Sequence, residues 1–232
     1  MTLAERLADV DARIADAARS AGRDPAGITR IVVTKFHPLS LIEQLHALGV
    51  GDVGENRQQE LTAKRAARAE APHEDLSLRW HFIGQAQTKK ARAIRSAADV
   101  VHSIDRDRIA DALDRAAEPG DAPLDVLLQL NLTDDPDRGG IALDGLLPLA
   151  EHVVAACPTL RLRGIMAVAP LDEPPASAFA RLADASARLR TIVPDAEWIS
   201  AGMSGDFTEA IAAGATHLRI GSAITGARPV RD

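Results

Sequence analysis

The chain has 232 residues, 46% of them hydrophobic and 26% charged, and its 27 basic against 33 acidic side chains leave a net charge of −6 at pH 7. That balance argues against nucleic acid or an anionic membrane as partner, since either needs a basic surface to displace counterions. A single cysteine, Cys157, rules out an internal disulfide, and without a charged apolar leader or an apolar run near the ~20 residues of a membrane span, a cytoplasmic location is expected.

An amphipathic segment from Leu3 to Arg19 comes first, and short β-branched runs then alternate with longer stretches of helical periodicity. The runs fall at 28–35, 51–56, 78–84, 99–105, 124–132, 160–169, 197–202 and 216–224. Between them lie Ala- and Arg-rich segments such as DRIADALDRAAE and FARLADASARLRTIV. Ser40, Asp105 and Ser204 mark helix starts, and Gly49, Gly120 and Gly214 stand where helices stop. Eight strands separated by helices predict a parallel α/β sheet, which at that number closes into a (β/α)₈ TIM-type barrel. Only ITGARPVRD follows the eighth strand, too little for a last outer helix, so the barrel is expected to be truncated there and covered by the extra N-terminal helix. No linker or composition shift divides the chain, which predicts one domain over 1–232. The competing fold, an open doubly wound sheet, lacks its GxGxxG loop after the first strand. The longest loops, 134–140 and 171–175, follow strands and are expected to rim the face where such barrels do chemistry.

The first strand ends on a lysine, and only four of the 27 basic residues (Lys35, Lys64, Lys89 and Lys90) are lysine. Alternation along TRIVVTK puts Ile31, Val33 and Lys35 on one face, so Lys35 points inward at the C-terminal rim. An amine there can lose its proton and attack a carbonyl, as arginine cannot. The bland alternative is a rim lysine paired with a carboxylate such as Glu55. Small-residue turns follow the seventh and eighth strands, SAGMSGDF at 200–207 and RIGSAITG at 219–226. Such turns bring backbone N–H groups and hydroxyls up to a phosphate, and Ser200, Gly202, Ser204, Gly221 and Ser222 are the available positions. His217, Arg219 and Gly221 share a face, which directs Arg219 into the barrel, where it must find either a core carboxylate or an acceptor on a ligand. A lysine, a phosphate cradle and an inward arginine around one mouth fit a phosphorylated aldehyde held as an imine, for which pyridoxal 5′-phosphate (PLP) is the obvious ligand.

The chain also resembles the PLP-binding homeostasis proteins, the proline synthetase co-transcribed family, which share the barrel of the alanine racemase N-terminal domain. The matching stretches are VVTK (32–35), GENRQQE (54–60), WHFIGQAQTKK (80–90), HSID (102–105), LRGIM (162–166), SAGMSGD (200–206) and RIGSAITGAR (219–228). The resemblance implies that Lys35 carries the cofactor as an imine, that Asn56 lies beside it, and that Ser200, Gly221 and Ser222 hold its phosphate. It further implies that Met203 and Ser204 lie near it and that Arg219 faces the pyridine nitrogen. The family usually has threonine at Ser222, asparagine at Lys89, methionine at Ala201 and lysine at Arg138.

A cation against the pyridine nitrogen disfavours its protonation and weakens the ring as an electron sink. Racemases of this fold use a tyrosine opposite the lysine, and this chain has no tyrosine. That excludes a two-base racemase of this design unless a histidine such as His81 or His217 substitutes. The sequence therefore points to intracellular PLP storage or delivery with little catalysis, PLP-dependent apoenzymes being the recipients such a carrier would serve. The alternatives are a PLP-dependent racemase or decarboxylase, or an imine-forming enzyme acting on a sugar phosphate. No HExxH or cysteine pair gives metal-ligand spacing, so no metal is expected. Cys157 is read as buried and inert, and the run Lys89, Lys90, Arg92, Arg95 as a solvated helix face. Alanine-rich helix faces allow a monomer or a weak homodimer.

Overall fold

Each predicted β-branched run forms a strand, and all eight pair in parallel and in chain order, the first closing on the last. The computed structural model describes residues 1–69, 78–133, 135 and 138–227. In chain order the elements are α1 (Leu3–Ser20), β1 (Thr29–Val33), α2 (Leu39–Ala47), β2 (Asp52–Glu55), α3 (Gln58–Ala69), β3 (Arg79–Phe82), α4 (Ala91–Ala97), β4 (Val100–Ile104) and α5 (Asp107–Asp114). They continue as β5 (Leu124–Gln129), α6 (Leu146–Ala156), β6 (Leu160–Met166), α7 (Pro175–Leu189), β7 (Trp198–Ser200), α8 (Phe207–Ala212), β8 (His217–Ile220) and α9 (Ser222–Thr225). Thus a single helical turn follows β8, where the sequence predicts no helix. The loop positions 134, 136 and 137 and the tail 228–232 lie outside the described residues.

Alternation sorts the strand residues into two environments. One phase, including Val32, Val53, Trp80, Val101, Val126, Leu162 and Leu218, joins the helices in the large apolar core. The other phase fills the barrel. Its apolar part includes Ile31 and Val33 and a small cluster of Val100, Leu127 and Met166 with Trp198 packed on them, and beside these lie the buried polar groups of His81, His102, Ser200, His217 and Arg219. A barrel interior is ordinarily packed with branched aliphatic side chains. Here polar groups share that place with the aliphatic ones, and each must be satisfied inside the protein.

The N-terminal helix covers the gap beside β8. Thr2 and Glu5 form a capping box at its start. Arg6 Nε donates to Ile224 O at 2.7 Å, tying α1 to α9, and just past the helix Arg23 Nη1 donates to Ile211 O and Ala215 O, each at 2.7 Å, at the end of α8.

Three helix starts differ from expectation: Pro38, Arg106 and Asp206 stand at the N-caps of α2, α5 and α8, not Ser40, Asp105 and Ser204. At α8 the reason is local. Asp206 Oδ1 accepts the Met203 N–H at 2.6 Å, which folds 203–206 into a turn and delays the helix. Arg95 also departs from the solvated face, being buried with its guanidinium on Leu113 O and Thr159 Oγ1. Helical spacing puts it on the side of α4 that carries Ala91 and Ile94. Among the described residues no helix is long and apolar enough to cross a membrane.

Candidate functional site

β1 ends at Val33, and Thr34 and Lys35 carry the chain over the C-terminal rim. Lys35 is half-buried in a turn whose next residue, Phe36, has φ +70°. For a bulky side chain that left-handed conformation is uncommon and costs roughly 1–2 kcal/mol. Two contacts hold it. The Phe36 N–H donates to Glu60 Oε2 at 2.8 Å, and the Arg57 guanidinium lies 5.1 Å over the Phe36 ring. Behind the turn, Lys64 Nζ donates to Thr34 O at 3.0 Å and to Glu55 Oε1 at 2.6 Å, and Thr34 Oγ1 donates to the same oxygen at 2.6 Å. Burial pushes the Glu55 carboxyl above its usual range, opposed by Lys64 and the Thr34 hydroxyl. Glu55 thus has Lys64 as its ion-pair partner.

Beside Lys35, β2 runs out at Asn56, whose Oδ1 is buried without a hydrogen-bond partner. The β3 end presses against it: a Cβ on Gly84 would sit 1.8 Å from Asn56 O, so only glycine fits there. On the other side of β1 lies the end of β8. A Cβ on Gly221 would meet Val33 Cβ at 3.6 Å, which places the 221–222 turn two residues before Lys35 along the rim. Ser222 is exposed in the first position of α9. In the preceding turn Met203 is exposed and Ser204 half-buried, and Gly202 (φ +88°) lets that turn fold over α8, because a Cβ there would come 2.8 Å from Ala210 Cβ. The Arg219 N–H donates to Gly202 O at 2.9 Å and joins the two turns.

Arg219 does point into the barrel and is 5% exposed. Its Nη1 donates to Ser200 Oγ at 2.6 Å and its Nη2 to Ala167 O at 2.8 Å. Both acceptors are neutral, and among the described residues no carboxylate forms an ion pair with it. Burial lowers its pKa to about 10, with Asp206 acting in the opposite sense, so it stays charged at neutral pH. Ser200 departs from its expected role. Its hydroxyl is fully buried between Arg219 and His102 Nδ1, which is 2.9 Å away, so its side chain serves Arg219 and is not presented to a phosphate.

The structure thus brings Lys35, Asn56, Met203, Ser204, Gly221 and Ser222 to the C-terminal rim, with Arg219 and Ser200 beneath. His81 and His217 are not at that rim. His217 opens β8 opposite Thr29, its ring 6.5 Å from that of His81, and burial lowers its pKa to about 3. Neither is placed to act as a second base there.

Residues 7–229 match the family described as alanine racemase, N-terminal domain. The pyridoxal phosphate homeostasis protein of Pseudomonas aeruginosa is 44% identical over 231 residues, 98% of this chain and 96% of that protein. The chain belongs to the pyridoxal phosphate homeostasis family. The member from Corynebacterium glutamicum is 41% identical over 95% of this chain and 100% of its own. PipY of Synechococcus elongatus, solved with PLP bound, superposes with a TM-score of 0.81 at 32% identity, over 97% of this chain and 100% of that one.

Two other clusters lie away from the rim. At the N-terminal side of the barrel a basin of about 550 Å³ is lined by Arg65, Arg79, Arg92, Arg95 and Arg161. Each guanidinium there faces a carboxylate, as Arg79 and Arg161 face Asp125, so the basin is an ion-pair network. On the outer helices Asp111, His152 and Cys157 bring ligand-type atoms within 4.8 Å of one another. The Cys157 thiol, pushed up to about 11 by burial and by Asp114 and Asp111, is protonated, and it donates to Asp111.

His102 and Lys64 belong to the site although the sequence does not mark them as site residues. HSID and the i, i+4 spacing of Glu60 and Lys64 are the signals in the sequence, and neither states that its side chain turns inward.

Proposed function

We propose that this chain binds PLP at the C-terminal rim of the barrel and holds it reversibly on Lys35, storing or delivering the cofactor with little turnover of its own. When bound, PLP supplies an aldehyde that condenses reversibly with a primary amine. The observation that carries the reading is Arg219, a buried cation with neutral acceptors only, under a rim that bears a lysine. A buried charge without a carboxylate suits a ligand that brings its own acceptor, as a pyridine nitrogen does. The unpartnered Asn56 Oδ1 is a second polar atom that a bound ring would satisfy.

The roles divide by position. Lys35 supplies the amine, and the strained turn with the Lys64 anchor fixes where that amine stands. Ser204, Gly221 and Ser222 offer hydroxyls and a side-chain-free approach to a phosphate. Arg219 opposes protonation of a ring nitrogen held against it, which weakens carbanion stabilisation and favours carrying over catalysis. With no tyrosine in the chain and both candidate histidines inside the barrel, a two-base racemase lacks its second base. Apoenzymes that require PLP are the recipients this reading entails.

The test uses purified protein incubated with PLP. Expected are a yellow species and, after borohydride reduction, a mass increase that maps to Lys35 and disappears in Lys35→Ala. Steady turnover across a panel of L- and D-amino acids would replace the carrier reading with an enzymatic one.

A further inference from the structure

Inside the barrel Arg219, Ser200, His102, His81 and Asp52 form one continuous file. Arg219 Nη1 lies 2.6 Å from Ser200 Oγ, Ser200 Oγ 2.9 Å from His102 Nδ1, His102 Nε2 2.9 Å from His81 Nδ1, and His81 Nε2 2.9 Å from Asp52 Oδ1. Counting protons fixes its direction. A guanidinium only donates and a carboxylate only accepts. His81 must therefore give its Nε2–H to Asp52, and a neutral imidazole then accepts at Nδ1. His102 supplies that bond from Nε2–H and accepts at its own Nδ1. The Ser200 O–H fills Nδ1, leaving the serine oxygen to accept from Arg219. With both imidazoles neutral, no other arrangement completes every bond.

Neutrality is supported by surroundings. Burial is the leading cause that lowers His81 and takes His102 well below the usual histidine range. Burial alone would raise the Asp52 carboxyl, but the hydrogen bond from His81 and the charge of Arg79 hold it below its usual value.

We propose that Asp52, His81 and His102 are positioning residues for Arg219, forming a one-way hydrogen-bond relay by which a carboxylate at the start of β2 orients the guanidinium beneath the rim without neutralising it. A carboxylate in contact would pair with Arg219 and quench its charge. Set at the far end of the file, it polarises each bond in turn toward Arg219 while leaving the charge for a ligand. The purpose of the relay rests on the PLP reading, but its proton arrangement is a property of the chain alone.

The experiment is histidine ¹⁵N NMR on the full-length protein, with and without PLP, beside absorbance and retention of the bound cofactor. His81 and His102 are both expected as neutral Nε2–H tautomers. In Asp52→Asn, whose amide can donate as well as accept, His102 should become a mixture of tautomers. The cofactor absorbance should shift, and PLP retention should fall about five- to tenfold, the share of one hydrogen bond. Ser200→Ala, a small change at a buried site, should give the same cofactor shift while His81 keeps its tautomer. Wild-type His102 protonated on Nδ1, or an Asp52→Asn protein with unchanged tautomers and absorbance, overturns the relay. Failure of the wild-type protein to take up PLP would sink the functional reading and leave the tautomer result standing, so the two failures are distinguishable.

Discussion

Lys64 Nζ sits 2.6 Å from Glu55 Oε1 and 3.0 Å from the carbonyl of Thr34, the residue before Lys35. This buried pair is the bracket on which the lysine turn hangs. Lys64→Met leaves the fully buried Glu55 carboxylate uncompensated, and the expected loss is about 3–5 kcal/mol. Replacing both residues with apolar ones of similar volume should restore most of it. Urea unfolding of the single and double variants checks this, and a single variant within about 1 kcal/mol of wild type would show that the pair does not hold the turn.

Gly84 offers a steric test of the rim. Its Cβ would overlap the Asn56 carbonyl, so Gly84→Ala must displace the end of β2 or β3. We expect roughly 2–4 kcal/mol of destabilisation and weaker PLP retention together. Wild-type unfolding and retention in that variant would mean the two strand ends are farther apart in solution.

The interior histidines make stability depend on pH in a predictable sense. His81, His102 and His217 are all held below the usual histidine pKa, chiefly by burial, His217 at about 3. Each is neutral in the folded chain, whereas the unfolded chain binds its protons near pH 6.5. Their contribution is therefore complete above about pH 6.5 and is lost as pH falls toward the folded values, at up to about 1.4 kcal/mol per pH unit for each. The urea midpoint should drop from about pH 6, before most carboxylates titrate, and His217→Gln should flatten the slope. A level profile between about pH 6.5 and 4.5 would show that these rings are already protonated when folded.

The φ of +70° at Phe36 predicts an unusual tolerance. Phe36→Gly removes backbone strain but also the ring under Arg57, so the net change should stay within about 1 kcal/mol. Phe36→Val, β-branched and poorly suited to that conformation, should cost about 2 kcal/mol or more. Equal stability of the two variants, measured by thermal unfolding, would contradict the left-handed turn.

The barrel could be read from the sequence because period-two alternation is local, and Val32 or Leu218 announces its environment within a few residues. The inward phase of Arg219 and the rim position of Lys35 follow from the same count. Ser200 could not be read that way. Its face is given by alternation, but whether its hydroxyl meets a phosphate or Arg219 depends on His102, which reaches it across the barrel from β4. Lys64 was equally hidden, since helical periodicity marks it as a polar position on α3 and only the packing of α3 against β2 aims it at Glu55.

The seam where β1 meets β8 has a consequence for folding. Lys35 follows the first strand whereas Arg219, Gly221 and Ser222 lie on or just after the eighth, so they come together only when Thr29 aligns with His217. A barrel left open at that seam would hold the Lys35 amine apart from the turn that the proposed function assigns to the phosphate. On the proposed function, competence to capture cofactor therefore appears only when the ring of strands shuts.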